Sequence, residues 1–457
     1  MKAADLEYLT VPLPEDIMKL KWFGDFERAK RLIEKRLKKD IPNALRKRLE
    51  LERLILDRLA QSYLFTEEEA LRELAEYVSD VTKEELDEWI DEGAIDWIYV
   101  NGERKIIDDF VSNLLKTRPE IAARIRDEHR NLVEDRAKNA EFLDEVIRRQ
   151  KEEGILKMRF RLRETFRVKE GMERPDKPLL IHLPLPLEYA QVKDVRICET
   201  SEEPLFVADK EYPQRTISFR RKMQAGDSVW VEFTYEIHAP YVEVDAEKAL
   251  FTQPKFYLNE QLPHIRFSPY IRSLVEEIVG EEKNPLLKAR KIYDYITTHL
   301  MYSFVRSYFA ITDIPSFAAS SWKGDCGVQA LLFITLCRAA GVPARWQAGL
   351  YTTPTEAGCH DWAQFYVAPY GWLYADCSYG GAGWRAGNLD KWNFYFGNLE
   401  PFRMPANSEF QYDLSPAKQH LRRDPYDNQS GEAEYEDRPL SKEEYEMEVE
   451  VLEATEL

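Results

Sequence analysis

Cysteine is scarce in this sequence, with five residues in a chain of 457, and the odd number leaves at least one thiol free. So few cysteines exclude a disulfide framework, and none has the C-x-x-C spacing typical of a metal site. Long apolar runs are also missing, since no window approaches the roughly eighteen apolar residues that would span a membrane. The first residues lack the apolar stretch of a signal peptide, so the sequence predicts a cytoplasmic protein with no membrane partner.

Positive charge is in the minority. The chain has 64 Lys and Arg residues against 82 Asp and Glu residues, which gives a formal charge of −18. Such a balance argues against nucleic acid as a partner. From Asp424 to Leu457, thirteen acidic residues stand against Arg438 and Lys442, a net charge of −11. Most of the imbalance therefore lies in residues 424–457, within a C-terminal segment, residues 416–457, that we call acidic.

The remaining composition is that of a folded protein, with 44% apolar and 12% aromatic residues over a length that suits two to four domains. Residues 1–155 show helical spacing of apolar positions, and Thr66 and Thr82 each begin a capping-box motif. Asn101-Gly102 between β-prone residues predicts one small hairpin. We interpret this part as a helical docking domain. A winged-helix-like unit is the alternative, but no basic recognition face favours it.

The hydrophobic period then changes from that of a helix to that of a strand. Apolar residues alternate with basic ones in 157–169, and with polar or acidic ones in 229–237. This alternation predicts an antiparallel β-sandwich over residues 156–246. The pattern returns at 444–452, where glutamates occupy every second position. Because opposite charges favour strand pairing, we expect 444–452 to add a strand beside the basic one.

The third predicted domain, residues 250–415, contains a cysteine placed for chemistry. Gly324-Asp-Cys326 precedes a segment that is apolar nearly all round, so Cys326 should begin a buried helix. Unpaired backbone N–H groups and the helix dipole at that position favour a thiolate, the nucleophilic form of cysteine. The same N–H groups can receive the oxyanion formed when a carbonyl is attacked. A cysteine considered alone would more often be structural.

A histidine and an aspartate follow at a spacing that suits a catalytic pair. The two strand-like segments that contain them are joined by Ala-Pro-Tyr-Gly. A hairpin centred on Ala368 would set His360 directly opposite Asp376, with Cα atoms about 4.5–5.5 Å apart. A carboxylate at that distance fixes the imidazole tautomer and stabilises its cation. The same register predicts that Cys359 and Cys377 are neighbours.

Four ordered motifs lie within about residues 255–405. They are Gly324-Asp-Cys326, Cys337-Arg-Ala-Ala-Gly-Val-Pro-Ala-Arg345, His360-Asp-Trp-Ala-Gln-Phe-Tyr366 and Gly371-Trp-Leu-Tyr-Ala-Asp376. This part of the chain resembles the transglutaminase-like superfamily of papain-type cysteine enzymes. The resemblance implies an α+β catalytic domain in a multidomain α+β chain. It also implies that Cys326 is the nucleophile, and that His360 and Asp376 are its partners on neighbouring strands.

The resemblance is incomplete at the oxyanion hole. Papain-like peptidases carry a glutamine shortly before the nucleophile, and the corresponding position here is Ser320. Trp322 is a candidate oxyanion donor or substrate-lining residue in its place. Trp384 follows a glycine-rich stretch, Tyr379–Gly383, that we expect to be a loop near the site. Trp384 either packs in the core or lines a substrate groove.

The triad predicts a thiol hydrolase, a peptidase or amidase, that cleaves an amide or isopeptide bond of a protein or peptide through an acyl-enzyme. A protein-glutamine transglutaminase would use the same triad with an amine in place of water. A non-catalytic binding scaffold is a third alternative. No cofactor or metal is predicted, because no clustered carboxylate loop of the kind that binds calcium lies beside the motifs. The oligomeric state is left open.

Overall fold

The N-terminal region consists of helices with one small sheet. The structure is a computed structural model that describes residues 1–457. The helices of this region are α1 (Glu15–Phe23), α2 (Phe26–Leu37), α3 (Asn43–Ser62), α4 (Glu67–Tyr77), α5 (Lys83–Asp91), α6 (Phe110–Thr117), α7 (Pro119–Ala122) and α8 (Asn131–Glu153), and the strands are β1 (Tyr63–Phe65), β2 (Trp97–Val100) and β3 (Glu103–Ile107). Thr66 and Thr82 cap α4 and α5 through their hydroxyls, which accept from the N–H groups of Glu69 and Glu85.

The predicted hairpin lies between β2 and β3. Asn101 has φ of 52° and Gly102 has φ of 80°, the left-handed conformations that this turn requires. β3 also pairs with β1, which gives the sheet order β1-β3-β2.

After α8 the chain continues as strands. These are β4 (Ile155–Val168), β5 (Leu179–Pro184), β6 (Val192–Thr200), β7 (Phe206–Val207), β8 (Thr216–Arg221) and β9 (Ser228–Pro240). Phe160, Leu162 and Phe166 of β4 are fully buried. Arg159 and Arg167, which flank this stretch, are exposed, so the strand has one apolar and one basic face.

The next region mixes helices with a second antiparallel sheet. Its helices are α9 (Pro269–Val279), α10 (Pro285–His299), α11 (Ile314–Ser321), α12 (Cys326–Ala339), α13 (Cys377–Arg385) and α14 (Leu389–Phe394), and its strands are β10 (Met301–Tyr302), β11 (Lys323–Gly324), β12 (Ala344–Thr352), β13 (Ala357–Val367), β14 (Gly371–Ala375), β15 (Phe396–Gly397) and β16 (Arg403–Asn407). The main sheet has the order β15-β14-β13-β12-β16. Helix α12 packs on one face of it, where the rings of Phe333 and Phe365 lie 5.7 Å apart.

The C-terminal residues return to the strands that follow α8. They form β17 (Glu432–Tyr435), β18 (Arg438–Pro439) and β19 (Tyr445–Glu456). One sheet has the order β19-β4-β9-β6, and the other has the order β18-β17-β5-β8-β7. β19 runs antiparallel to β4 and includes the segment 444–452 almost entirely, with Tyr445 opposite Val168.

The charges of β4 pair mostly with β9 rather than with the acidic C-terminal strand. Arg161 and Arg163 both bind Glu232 of β9 through their guanidinium groups. Of the β4 arginines, Arg167 pairs with β19, at 2.7 Å from Glu448. The charge complementarity that motivated the strand prediction therefore accounts for a small part of the contact between β4 and β19.

The register predicted for the β13–β14 hairpin is wrong by two residues. Ala363 pairs with Ala375 and Val367 with Gly371, so the hairpin is centred on Pro369 rather than on Ala368. β14 ends at Ala375, and Cys377 begins α13 instead of facing Cys359 across the ladder. The predicted contact between these two thiols is therefore also wrong.

The glycine-rich stretch is part of helix α13 rather than a loop. The absence of side chains lets the helix approach its neighbours closely, because a Cβ at Gly380 would lie 1.7 Å from the hydroxyl of Tyr293. A Cβ at Gly383 would lie 2.9 Å from the backbone nitrogen of Trp392. Tertiary packing here outweighs the low helix propensity of glycine.

Two hydrophobic cores hold the molecule together, and the fold is multidomain α+β as the sequence predicts. One core is continuous from the N-terminal helices into the region around α12, and the other fills the space between the sheets of β4 and β5. None of the helices combines the length and the apolar character needed to cross a lipid bilayer.

Candidate active site

Cys326 is the first residue of α12 and is partly exposed. The carboxylate of Asp325 caps the helix by accepting from the N–H of Val328 at 3.1 Å. The N–H of Gln329 bonds to the carbonyl of Asp325. The backbone N–H groups of Cys326 and Gly327 therefore have no acceptor within the helix. They are the groups that can receive an oxyanion beside the thiol.

Gly327 follows the nucleophile at a position where a side chain does not fit. A Cβ there would lie 2.2 Å from the hydroxyl of Tyr308 and 2.6 Å from Oδ2 of Asp361. That hydroxyl in turn donates to Oδ1 of Asp325 at 2.5 Å. Glycine thus allows two buried polar side chains to reach the start of α12. Our sequence analysis did not single out this residue, although its place directly after the cysteine was visible.

His360 and Asp376 lie together in a buried cluster with Arg403. Nε2 of His360 lies 2.7 Å from Oδ2 of Asp376, and Nη1 of Arg403 lies 3.1 Å from the same oxygen. Burial alone would raise the pKa of Asp376, but the charges of His360 and Arg403 outweigh it and hold that pKa well below its usual range. Burial lowers the pKa of His360 to about 4, despite the opposing effect of Asp376. The imidazole is therefore neutral at pH 7.

The thiol of Cys326 bonds to Asp361 rather than to His360. Its Sγ lies 3.6 Å from Oδ2 of Asp361, on the sheet face where α12 packs. Successive residues of a strand point to opposite faces, so His360 begins on the other side of β13. The structure thus joins His360 to Asp376, but it does not place a hydrogen bond between His360 and the thiol.

The surroundings of Cys326 oppose the thiolate that we predicted for a cysteine at the start of α12. Burial, followed by the carboxyl groups of Asp361 and Asp325, raises the pKa of the Cys326 thiol well above its usual value. Burial also raises the pKa of Asp325, to about 6. Burial and, after it, the two acidic neighbours act against the helix N-terminus, which favours the thiolate. Cys326 is therefore held as a protonated thiol.

The C-terminal segment reaches this site through Gln429. Its side-chain amide donates to the carbonyl of His360 at 3.0 Å and to Oδ1 of Asp361 at 2.5 Å. Both residues beside the thiol are thus fixed by a side chain that lies far away in the sequence. No local pattern signals this contact.

Aromatic side chains also border the site. The ring of Tyr379 lies 5.0 Å from that of His360. The buried hydroxyl of Tyr302 accepts from Nζ of Lys116, a residue of α6, at 3.0 Å. Cys326 and Tyr379 both raise the pKa of Tyr302 further after burial, which places this tyrosine next to the thiol.

The two tryptophans singled out from the sequence are both exposed. Trp322, with 55% of its surface exposed, ends α11 in a left-handed conformation, and its carbonyl accepts from the N–H of Met301 at 2.8 Å. Trp384 is 40% exposed and packs against Trp392 with ring centroids 4.8 Å apart. The hydroxyl of Ser320 donates to a carbonyl within its own helix.

The other four cysteines divide into two pairs. Cys337 and Cys377 are buried, whereas Cys198 and Cys359 are exposed. Burial raises the pKa of Cys337 and Cys377 well above the ordinary value. The two exposed thiols are the ones that a reagent reaches most easily.

Comparison with known proteins agrees with this part of the fold. Residues 272–377 match the model of the transglutaminase-like superfamily. An uncharacterized protein of Haemophilus influenzae is 25% identical over 232 residues, which are 43% of this chain and 62% of the relative. The match thus spans less than two thirds of that relative's length.

Two solved structures share features of the fold at low sequence identity. One is a candidate cysteine protease from Cytophaga hutchinsonii, with 15% identity, a TM-score of 0.41 and coverage of 65% of this chain and 91% of that one. The other is the periplasmic domain of TgpA from Pseudomonas aeruginosa, with 15% identity, a TM-score of 0.27 and coverage of 51% and 92%. With TM-scores below 0.5, neither likeness carries an argument about function.

Proposed function

We propose that the chain is a thiol hydrolase that cleaves an amide or isopeptide bond, with Cys326 as nucleophile, His360 as base and Asp376 as the residue that orients the base. The observation that carries the proposal is the buried hydrogen bond of 2.7 Å between His360 and Asp376, together with the contact of 3.6 Å between Sγ of Cys326 and Asp361, the residue that follows His360. The match of residues 272–377 to the transglutaminase-like superfamily supports this proposal.

The hydrogen bond to Asp376 determines which imidazole nitrogen acts as the base. Since Nε2 of His360 faces the ionised carboxylate, the proton of the neutral ring stays on Nε2. The lone pair is then on Nδ1, which is free to accept a proton. A neutral base suits a protonated thiol, because the proton can pass from Cys326 to Nδ1 as the thiol attacks.

The reaction then proceeds in two acyl transfers. Sγ of Cys326 bonds to the substrate carbonyl carbon, and the C–N bond breaks as the imidazolium of His360 returns the proton to the leaving amine. Water next attacks the thioester and gives its proton to Nδ1, and Cys326 leaves with a proton. The N–H groups of Cys326 and Gly327 stabilise the oxyanion in both steps. For the first step, Sγ of Cys326 must leave Asp361 and come within hydrogen-bonding distance of Nδ1 of His360.

Product analysis on a peptide library tests the proposal. The full-length chain is incubated with the library in the presence of a primary amine, and the products are identified by mass spectrometry. We expect free acids that depend on Cys326 and disappear in Cys326→Ala. Cys198→Ala is the matched control, because it removes an exposed thiol of β6, away from His360 and Asp376, and should leave the products unchanged.

The same experiment separates the alternatives. Amine-linked products would indicate the transglutaminase reaction instead of hydrolysis, because in that reaction an amine takes the place of water. Equal product formation by Cys326→Ala and the wild type would reject Cys326 as the nucleophile. Absence of products together with tight binding of library members would support a binding scaffold. A reducing compartment such as the cytoplasm, which we propose as the location, would keep all five thiols free.

A further inference from the structure

Three cationic side chains converge on the mouth of the candidate site, next to Tyr302. Nζ of Lys116 lies 3.0 Å from the hydroxyl of Tyr302 and 4.2 Å from the centre of its ring. Arg136 of α8 lowers the pKa of Lys116 after burial, so the two charges are close together. Tyr302 is also an electrostatic neighbour of Arg136 and of Arg385 at the end of α13. One cluster therefore joins the N-terminal helices to the region that holds the thiol.

None of these three cations forms an ion pair. Lys116 donates to Tyr302, and Nη1 of Arg136 donates to the carbonyl of Leu115 at 2.7 Å. Arg385 extends over Gly381, where a Cβ would lie 3.1 Å from its Nη1. In a chain with a formal charge of −18, cations elsewhere readily find carboxylates. Lys391, for example, lies 2.9 Å from Asp144.

Carboxylates do lie near the cluster, but they are otherwise engaged. Asp376 is bonded to His360 and Arg403. Glu356, the acidic neighbour of Arg136, accepts from the amide of Asn139 at 2.7 Å. Asp325, which also acts on Lys116, accepts from the hydroxyl of Tyr308 and from the N–H of Val328. The positive charge at the mouth is therefore not neutralised by an ion pair.

The surroundings of the cluster are those of a cleft. The side chains of Lys116, Arg136 and Arg385 are all exposed to solvent. Desolvation by surrounding protein nevertheless lowers the pKa of each one. Side chains that are open to water and yet closely surrounded lie in a concave surface. Such a surface concentrates the field of the charges that line it.

We propose that Lys116, Arg136 and Arg385 form a carboxylate-binding subsite that selects substrates with an acidic group next to the scissile amide. The proposal rests on the assignment of Cys326 as the nucleophile, since the subsite is defined by its distance from that thiol. Lys116 lies close to the thiol, because it contacts Tyr302, which pairs with Gly324 two residues before Cys326. Arg136 and Arg385 supply guanidinium groups, which bind carboxylates through two parallel hydrogen bonds.

The substrate class that follows is an acidic peptide or an amide of a dicarboxylic amino acid. Its carboxylate would bind between residues of the N-terminal helices and of α13, and this would give the N-terminal region a direct part in specificity. A neutral substrate of the same shape would leave the cations hydrated and would gain no binding affinity from them.

Two alkylating reagents of nearly equal size test the subsite without requiring enzymatic turnover. Iodoacetate is anionic and iodoacetamide is neutral, and both label Cys326. The ratio of their rates at Cys326, divided by the same ratio for a free model thiol, measures the preference of the cleft for a carboxylate. We expect a normalised ratio of about 10 or more at low salt, which declines as salt screens the field.

Variants of the cluster then locate the preference. The triple change Lys116→Gln, Arg136→Gln and Arg385→Gln should return the normalised ratio to about 1, and Lys116→Arg should retain it. The matched control is Arg148→Gln on the same helix as Arg136, because Arg148 is exposed and paired with Glu145 and Glu152. This control should leave the ratio unchanged.

The outcomes distinguish the subsite from the proposed reaction. A normalised ratio near 1 in the wild type, or an unaltered ratio in the triple variant, would overturn the subsite even if amide hydrolysis is found. A high ratio that the triple variant abolishes would support the subsite even if the peptide library gives no products. If neither reagent labels Cys326 even at a pH high enough to ionise the thiol, the thiol is unreachable from the cleft and both proposals are wrong.

Discussion

Nε2 of His360 lies 2.7 Å from Oδ2 of Asp376, although the two residues are not partners in the β13–β14 ladder. Asp376 stands just beyond the end of β14, where its other oxygen, Oδ1, accepts from the N–H of Tyr379 at 3.0 Å and caps α13. One carboxylate thus begins a helix and orients a histidine. The helix cap fixes the position of Oδ2 more firmly than a place in the middle of a strand would.

The first prediction concerns the acid limb of the pH profile. Since burial lowers the pKa of His360 to about 4, the imidazole should become a base near that pH. We expect kcat/KM to rise with pH through about 4 and then to stay level, and a series of buffers with the hydrolysed peptide would measure it. A limb near the ordinary histidine value of about 6.5 would contradict the buried geometry.

The Asp376→Asn variant provides the control for that profile. In the wild type, the carboxylate of Asp376 raises the pKa of His360. Its removal in the variant should therefore move the acid limb to lower pH. The rate should also fall by a factor on the order of 10⁴, as when the orienting aspartate of a serine protease triad is replaced by asparagine. A variant with full activity would show that His360 needs no orienting carboxylate.

The second prediction concerns Glu164, whose carboxyl group is buried in β4, opposite Val231 of β9 in the same sheet. It is fully buried, and neither of its oxygens has a hydrogen-bond partner. Burial raises its pKa well above the usual value, so the folded protein holds this proton more tightly than the unfolded chain does. Its contribution to stability is present below the unfolded pKa of about 4.3 and is lost as pH rises from there through the folded value.

Replacement of Glu164 by methionine should remove the loss of stability that occurs as pH rises. We expect Glu164→Met to be more stable than the wild type at pH 8 by about 1–3 kcal/mol, and the difference should shrink toward pH 4. Chemical unfolding at several pH values measures both effects. Glu446→Gln, at an exposed glutamate of β19, is the control and should follow the wild-type curve. A constant difference at all pH values would mean that Glu164 does not titrate in this range.

Much of the fold could be predicted from the spacing of neighbouring residues in the sequence. The alternation in β4 and β19, the capping boxes at Thr66 and Thr82, and the Asn101-Gly102 turn are each determined by a few consecutive residues, and the structure has the corresponding elements. The even spacing of His360 and Asp376 also indicated that the two could meet. Such features depend on periodicity and turn chemistry, which a single sequence displays directly.

Long-range packing could not be predicted in the same way. The hairpin register depends on which residue of the Ala-Pro-Tyr-Gly turn lies at its centre, and a change of two residues preserves the facing pattern. Helix α13 exists because Gly380 and Gly383 fit against Tyr293 and Trp392. The contact of Gln429 with Asp361 joins segments that are distant in the chain, and nothing local distinguishes that glutamine.

The third prediction separates packing from charge in the attachment of β19. Tyr445 is 5% exposed, its ring lies 5.0 Å from that of Phe166, and its hydroxyl donates to the carbonyl of Gly431 at 2.8 Å. We expect Tyr445→Ala to lower the free energy of unfolding by about 3 kcal/mol. Glu448→Gln breaks an exposed ion pair with Arg167 and should cost less than about 1 kcal/mol.

Urea unfolding of the two variants measures this difference. Equal and small effects would show that β19 is held only by its backbone ladder. A larger effect of Glu448→Gln would restore charge as the main reason for the attachment. In either variant the rate of the proposed reaction should be unchanged, because β19 contributes no side chain to the thiol, His360 or Asp376.

The last prediction concerns the protonation of the nucleophile. The carboxyl of Asp361 lies 3.6 Å from Sγ of Cys326 and, after burial, is the leading cause of the raised pKa of that thiol. Burial raises the pKa of Asp361 as well, so this carboxyl acts on the thiol through its charge only in the ionised form. Asparagine has the same shape and never carries that charge, and its carbonyl oxygen can still accept from Gln429. Asp361→Asn should therefore lower the pKa of Cys326, and alkylation by iodoacetamide should become faster at neutral pH.

The measurement is the rate of alkylation at Cys326 from pH 6 to 10, read by mass spectrometry of the labelled peptide. Each unit by which the thiol pKa falls raises the thiolate fraction at neutral pH by about tenfold. Asp194→Asn, at a surface carboxylate that pairs with Arg196, is the control and should leave the rate unaltered. An unchanged profile in Asp361→Asn would mean that burial alone keeps the thiol protonated. A shift to higher pH would mean that Asp361 stabilises the thiolate by donating a hydrogen bond, and it would reverse the role assigned to this residue.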